Sequence, residues 1–131
     1  EIYNRPNNTF VAEFIGSPRI NLIDGKIVED NNRKICKLPI KVNIEVNNVK
    51  PQIIKLGIRP EDIYIDSEGV NMEVKFIEQL GSYTVLHLEK NKVKLLLRTE
   101  RIKGINVGEN VPIKLNNNQI HIFNSKGERI N

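Results

Sequence analysis

Residues 70–76 read Val-Asn-Met-Glu-Val-Lys-Phe, with an apolar side chain at every second position and a polar one between. Successive side chains of a β-strand point to opposite faces, so a period of two is typical of a strand with one buried face. The stretch predicts a half-buried strand that places Val70, Met72, Val74 and Phe76 on its apolar side.

The same alternation recurs further along the chain, in residues 93–98, 111–115 and 120–123. Between the apolar runs lie clusters of Gly, Asn, Asp and Ser, which are typical of turns. The candidate turns are residues 24–25, 67–69, 81–82, 90–92, 107–110, 116–118 and 125–127. Many short strands at this spacing predict an antiparallel β-barrel or sandwich. Residues 41–52, rich in Asn and interrupted by Pro51, instead predict a long connection with one helical turn.

Length and composition predict one globular domain. The chain has 131 residues and a mass of 15.1 kDa, with 39% hydrophobic and 27% charged residues, which excludes disorder over most of its length. The 20 basic residues exceed the 16 acidic ones only modestly, and the signs interleave, as in residues 89–92. This pattern favours an ordinary solvated surface over a nucleic-acid groove, which concentrates Lys and Arg on one face.

The single cysteine, Cys36, has no second thiol for a disulfide or a metal site, which favours a reducing compartment such as the cytosol. No apolar run approaches the roughly 20 residues of a membrane span. The chain begins at Glu1 without an initiator Met, so we expect it to be a piece of a longer protein.

No catalytic constellation is present in the sequence. A phosphate-binding loop, a nucleophile elbow, a zinc-binding histidine pair and a CxxC motif are all missing. His87 and His121 each alternate with aliphatic residues, which predicts outward-facing strand positions, and Cys36 is predicted to be a small strand residue. We therefore expect no catalytic residue and no metal site.

Two further stretches are candidates for interfaces. In residues 10–16 the apolar side chains of Phe10, Phe14 and Ile15 would form one stripe on a short helix, which packs either on its own domain or on a domain outside this chain. Residues 56–63 read Leu-Gly-Ile-Arg-Pro-Glu-Asp-Ile, an apolar run that meets a charged turn. In that turn Arg59 either pairs locally with a neighbouring carboxylate or reaches another chain in a bidentate pair.

Several strings in the same order resemble one family: residues 1–6 leading into 10–18, then 57–62, 78–82, and 120–124 with 127–130. Together they resemble the C-terminal part of MalK-type ATP-binding subunits of sugar ABC transporters. The resemblance implies that residues 1–19 are a connector helix from an ATPase domain. It implies that residues 20–131 are an OB-fold-like antiparallel barrel of the TOBE type.

The resemblance also implies a function and its residues. The domain would be a non-catalytic regulatory and dimerisation module, and ATP and Mg²⁺ would bind only in the ATPase domain, so no cofactor is expected here. Its partners would be that ATPase domain, a second or paired ATPase subunit, the membrane subunits and a regulatory protein, on the cytoplasmic face of the membrane. The interface residues carried over from the family are Phe10, Phe14, Ile15, Ser17, Arg59, Glu61 and Gly81.

Two other functions stay open. Related barrels resemble oxyanion or metabolite sensors, which would need a pocket lined by Arg or Lys with few hydrophobic walls. Nucleic-acid binding would need aromatic stacking platforms, and the chain has no Trp, four Phe and three Tyr. No nucleic-acid partner is therefore expected.

Overall fold

The computed structural model describes residues 19–131, which form two antiparallel β-sheets. The first sheet contains β1 (Asn21–Asp30), β2 (Arg33–Leu38), β3 (Val42–Val46), β4 (Gln52–Ile58) and β9 (His121–Phe123), in the order β3-β2-β1-β4-β9. The second contains β5 (Ile63–Leu80), β6 (Tyr83–Lys90), β7 (Val93–Glu100) and β8 (Asn110–Leu115), in the order β7-β6-β5-β8. Two short 3₁₀ turns, Pro60–Asp62 and Asn117–Gln119, complete the regular structure of the described residues.

The predicted fold class is confirmed as mainly antiparallel β, but the two sheets do not close into a barrel within residues 19–131. Closure would need backbone pairing between strands at the sheet edges. Where β1 meets the edge strand β7, a side chain makes the hydrogen bonds instead: the amide of Asn21 bonds to the backbone of Leu96. The predicted connector helix over residues 10–16 lies outside the described residues.

One continuous core lies between the sheets. Its fully buried members include Ile23, Leu56 and Ile58 from the first sheet and Leu86 and Leu97 from the second. The alternating runs of the sequence supply these residues, because every second side chain of each strand points toward the opposite sheet. A second, smaller cluster of Ile20, Leu22 and Phe123 packs on the first sheet.

Two of the hairpin turns are made by residues that tolerate left-handed backbone. Asn31 and Asn32 connect β1 to β2 with φ values of 51° and 65°, and Asn91 and Lys92 connect β6 to β7 with 51° and 67°. Positive φ at both central residues matches the right-handed twist of the flanking strands. The predicted turn at residues 90–92 is thereby confirmed.

Three predictions of local secondary structure were wrong. Residues 42–46 form strand β3 rather than a helical connection, because Lys41 and Asn48 adopt positive φ outside the strand ends and leave the residues between them extended. Residues 24–25 lie inside β1, where a Cβ on Gly25 would come within 2.8 Å of Leu38. Residues 67–69 lie inside β5, at an irregularity between Ile65 and Val70.

Strand β5, which contains residues 70–76, departs from simple alternation of apolar and polar side chains. Val74 pairs with Leu88, but Phe76 pairs with His87, so one extra residue is inserted in β5 at Lys75. A β-bulge of this kind reverses the facing of the residues beyond it. Val74 is therefore fully buried, whereas Phe76 is 55% exposed on the outer face of the second sheet.

Candidate functional site

The charged turn after β4 is held at both ends by backbone hydrogen bonds. Arg59 is extended at φ −75° and ψ 149°, and Pro60 begins the 3₁₀ turn, a position where its fixed φ is tolerated and its missing N–H is not needed. The N–H of Asp62 donates to the carbonyl of Arg59 at 2.9 Å, and the N–H of Asn116 donates to the carbonyl of Asp62 at 2.9 Å. The turn is thus tied to the segment that follows β8.

This turn forms one wall of a polar cleft of about 460 Å³. The other wall is the second 3₁₀ turn, the start of β9 and the chain near the C-terminus. The lining residues are Arg59, Glu61, Asp62, Asn118, Gln119, Ile120, His121 and Arg129. Only one of them is aliphatic, so the cleft is suited to polar or charged groups.

Two cationic or titratable side chains of the cleft are almost fully buried. Arg59 is 2% exposed and His121 is 4% exposed. The outward position predicted for His121 was wrong, because β9 is covered by the chain that follows it. Ile130 donates its N–H to the carbonyl of Ile122 at 2.8 Å, and the N–H of Ile122 donates to the side chain of Asn131 at 2.8 Å.

The carboxylates of the cleft are in a mixed electrostatic environment. Desolvation by burial raises the pKa of Asp62 above its ordinary value of 3.8, and the negative charge of Glu61 raises it further. The positive charge of Arg59 acts in the opposite direction. Arg59 therefore acts electrostatically on Asp62, which is compatible with the alternative of a local pair.

The glycine that precedes the turn has a packing role. His121 and Phe123 pair with Gly57 and Lys55 on the same face of the first sheet. A Cβ on Gly57 would come within 2.9 Å of the ring of Phe123 and 3.2 Å of Ile20. The absent side chain lets Phe123 lie against the strand and helps to fix β9 beside the charged turn.

Among the other predicted site residues that the structure describes, Glu61 lies at this cleft and Gly81 does not. Gly81 lies in the two-residue hairpin between β5 and β6, at φ +64°, where it permits the turn and its carbonyl accepts a hydrogen bond from Arg101 at 2.8 Å. Glu61 lies at the cleft and is exposed. The predicted residues Phe10, Phe14, Ile15 and Ser17 lie outside the described residues.

Sequence reasoning missed a second surface, on the outer face of the second sheet. His87, predicted correctly to face outward, contacts Glu78 at 2.7 Å, and its ring lies edge-on to Phe76 with centroids 5.2 Å apart. Arg98 stacks over Tyr83, 3.9 Å from the ring centroid. This surface depends on the bulge in β5, and the alternation of apolar residues in a single sequence gives no signal for it.

Neither surface offers a set of metal ligands among the described residues. Among residues 19–131, no group of three or more His, Cys, Asp or Glu side chains could hold a metal ion. The sole cysteine is fully buried in β2, and burial raises its pKa to about 11, so its thiol is protonated at neutral pH. Within the same residues no helix is long and apolar enough to cross a membrane.

Comparison with known families identifies the fold. The sequence model of the MalK OB fold domain matches residues 16–63, and that of the TOBE domain matches residues 56–123, which includes the charged turn, the hairpin at Gly81 and β9. This chain belongs to the TOBE domain family. The two matches meet at residues 56–63, so the TOBE chain carries its charged turn where the OB-fold part ends.

Relatives of this TOBE chain are ATP-binding proteins of importers. It is 32% identical to the sn-glycerol-3-phosphate import ATP-binding protein UgpC of Escherichia coli, over 99% of this chain and 38% of the relative. It is 32% identical to the trehalose/maltose import ATP-binding protein MalK of Thermococcus litoralis, over 94% of this chain and 37% of the relative. The chain therefore spans little more than a third of the length of these curated relatives.

Proposed function

We propose that this TOBE chain is a non-catalytic regulatory and dimerisation domain of the ATP-binding subunit of a sugar-importing ABC transporter. The observation that carries the proposal is the matching of the MalK OB fold and TOBE models one after the other along the chain. In this role the domain keeps two ATPase subunits associated while they open and close.

The proposal includes the partners of the domain and its place in the cell. Its own ATPase domain would bind ATP and Mg²⁺, and a second or paired ATPase subunit, the membrane subunits and a regulatory protein would complete the assembly. The domain would then lie in the cytoplasm, at the inner face of the membrane. The relatives, which are ATP-binding proteins of import systems by name, support this arrangement.

The proposed contact surface includes the exposed residue Glu61 beside the rigid turn. The turn is suited to recognition because its backbone is fixed by two hydrogen bonds and by Pro60, so little conformational freedom is lost on binding. In a symmetric dimer the same patch would be used twice.

Light scattering of the 131-residue chain over a concentration series tests the proposal, with and without the ATP-binding domain of a relative supplied in trans. A concentration-dependent dimer supports association through this domain, and Glu61→Arg should then raise the dissociation constant tenfold or more. Glu68→Arg, at an exposed position of β5, is the matched control and should leave it unchanged. If the chain is monomeric alone and associates only when the ATP-binding domain is present, residues 10–15 carry the association instead. If the chain is monomeric under both conditions, the proposal is wrong.

A small-anion sensor is the second candidate, favoured by the polar cleft. The cleft has two arginines and only one aliphatic wall residue, Ile120, as an anion site requires. The negative charges of Glu61 and Asp62 weaken the binding of an anion in the cleft. Because the raised pKa of Asp62 removes part of that negative charge in acid, binding should strengthen as the pH falls.

Thermal unfolding with 10 mM inorganic phosphate or sulfate, compared with chloride at equal ionic strength, tests this candidate. A bound anion raises the unfolding temperature by mass action. The rise should be larger in acid than at neutral pH, and it should disappear in Arg129→Ala but persist in Arg33→Ala, an exposed control on β2. No anion-specific rise at either pH removes the candidate.

A further inference from the structure

The edge strands of the two sheets differ in how their backbone is protected. An unpaired edge can add a strand from another chain, so folded proteins usually cover or interrupt it. The edge of β7 is bonded at Leu96 by the side chain of Asn21. β9 is bonded by the residues that follow it, since Phe123 pairs with Arg129. β8 contains Pro112, which has no N–H to donate.

The remaining edge strand, β3, has no such protection among residues 19–131. It pairs only with β2, in a register that runs from Lys34 to Leu38 on that strand. Its residues, Val42–Val46, include no proline, and the pairing continues without a bulge. The outer backbone groups of β3 are therefore available for an added strand, which is a recurring way of binding an extended peptide.

Space for an added strand lies beside β3, in a cavity of about 580 Å³. The cavity is lined by residues 41–44 at β3 and by residues of β5 and β8, among them 68–70 and 113–115. Its apolar floor includes Ile44 and Ile113, which are 3% and 1% exposed. Neighbouring strands lie about 4.8 Å apart and alternate their side chains, so every second side chain of an added strand would face this floor.

The outer face next to β3 is positively charged. Lys26 pairs with Lys37 across β1 and β2, and Lys37 pairs with Asn43 across β2 and β3, so one row of side chains ends at the open edge. Both lysines are exposed, as is Lys41, which precedes β3 and lines the cavity. Within the described part of the chain, none of these three lysines forms an ion pair. Because like charges directly opposite each other are unfavourable, negative charge brought to this edge would offset their repulsion.

The negative charges of the same region lie away from these lysines. Glu45 lies toward the other end of β3, and Glu68 lines the cavity from β5. Lys114 also lines the cavity, and the carboxylate of Asp66 lies 3.7 Å from its ammonium group. The positive charge without a partner is therefore concentrated at the Lys41 end of β3.

We propose that the edge of β3 binds an extended acidic segment of a partner protein, which adds to the five-stranded first sheet as a sixth strand. The backbone of the segment would bond to the outer edge of β3, and its apolar side chains would face the cavity. Its acidic side chains would lie near Lys37 and Lys41. In this mode of recognition the backbone hydrogen bonds supply affinity and the alternate side chains supply specificity. The proposal does not depend on the proposed dimerisation, which uses the turn at Glu61.

Titration of the isotopically labelled 131-residue chain with a peptide of about six residues that alternates Glu and Val tests the proposal. The backbone amide NMR signals of residues 41–46 should shift, together with those of residues 113–115 across the cavity. Lys37→Glu and Lys41→Glu should each raise the dissociation constant about tenfold, because the peptide then meets a like charge. Lys103→Glu, at an exposed position after β7, is the matched control and should leave the dissociation constant unchanged.

Two altered peptides separate strand addition from charge attraction alone. A peptide that alternates Lys and Val should bind about tenfold more weakly or not at all. The Glu and Val peptide with methylated backbone amides should not bind, because it cannot form the hydrogen bonds of a strand. Equal binding of the methylated peptide overturns the proposal, and so does the absence of binding by the unmodified one.

The same NMR signals identify other outcomes. Shifts confined to residues outside β3 and the cavity overturn the proposal, because the peptide then binds elsewhere. Shifts of residues 41–46 that depend on protein concentration without peptide, together with a dimeric mass by light scattering, also overturn it and assign the edge to a second copy. Shifts of residues 41–46 that need the acidic peptide, in a chain of monomeric mass, support it.

Discussion

The side chain of Asn21 completes the hydrogen bonding of Leu96, a residue 75 positions away in the chain. Its Nδ2 donates to the carbonyl of Leu96 at 2.9 Å, and its Oδ1 accepts from the N–H of Leu96 at 2.7 Å. These are the two bonds that a neighbouring strand would make with the edge strand β7. One buried side chain, 6% exposed, therefore links the start of β1 to the edge strand β7 and occupies the backbone groups of Leu96 that another strand would otherwise bond.

Replacing Asn21 with Ala should lower the free energy of unfolding by about 2 kcal/mol, because two hydrogen bonds are lost and the backbone groups of Leu96 are left without them. Urea denaturation measures the effect. Asn71→Ala, at an exposed position of β5, is the matched control and should change stability by less than about 0.5 kcal/mol. Equal stability of the two variants would contradict the role of Asn21.

Replacing Gly57 with Ala should destabilise the domain by about 1 to 3 kcal/mol, since the new methyl group would press on the rings and methyls of the small cluster around Phe123. Thermal unfolding and the near-ultraviolet circular dichroism of the aromatic side chains report the change. Ile53→Ala, an exposed position on the same strand, serves as the control. A Gly57→Ala chain as stable as the unchanged protein would show that Phe123 does not need this space.

Removing the charge of Asp62 should change how stability depends on pH. Burial, with a further contribution from Glu61, raises the pKa of this carboxyl when the chain is folded, so the folded state binds the proton more tightly than the unfolded state. Its contribution to the free energy of unfolding is therefore largest below about pH 3.8 and decreases as the pH rises through the folded pKa. Urea titrations from pH 3 to 7 measure this effect. We expect the free energy of unfolding of the unchanged protein, minus that of Asp62→Asn, to decrease as the pH rises over that range.

The Asp62 experiment needs a variant that removes one negative charge elsewhere, and Asp30→Asn, exposed at the end of β1, provides it. The pH-dependent difference in free energy of unfolding between the unchanged protein and Asp62→Asn should remain after the difference caused by Asp30→Asn is subtracted. If the free energy of unfolding of the unchanged protein, minus that of Asp62→Asn, stays constant or increases as the pH rises, the raised pKa assigned to Asp62 is wrong.

Cys36 should be unreactive in the folded protein. Burial raises its pKa from 9.0 to about 11, which leaves about a hundredfold less thiolate at a given pH below 9, and the side chain has no exposed surface. Ellman's reagent at pH 8 should modify the thiol slowly in buffer and rapidly in concentrated urea. Stability should also fall as the pH rises from about 9 toward 11, because the unfolded thiol ionises first. Rapid modification in buffer would show that β2 opens easily.

The sequence by itself determined the class of the fold and the absence of the familiar catalytic motifs. Strands β7 and β8 follow their alternating apolar residues, and the turn at Asn91 follows from the tolerance of Asn for positive φ, since both signals are local. The position of Cys36 in a strand and the family resemblance also followed from short stretches of the sequence. The resemblance is confirmed by the matches to the MalK OB fold and TOBE models.

Only the tertiary structure decided which side chains of these strands are exposed and which are buried. A bulge at Lys75, set by pairing with β6, turned Phe76 outward although its spacing from Val74 predicts the same side. His121 lies in a strand, β9, whose neighbour Ile122 is hydrogen-bonded by the chain end, and the edge strand β7 is bonded at Leu96 by the side chain of Asn21 rather than by a strand. Each of these depends on a contact with another segment of the chain, and such contacts leave no periodic signal in one sequence because the partner, not the local pattern, fixes the register.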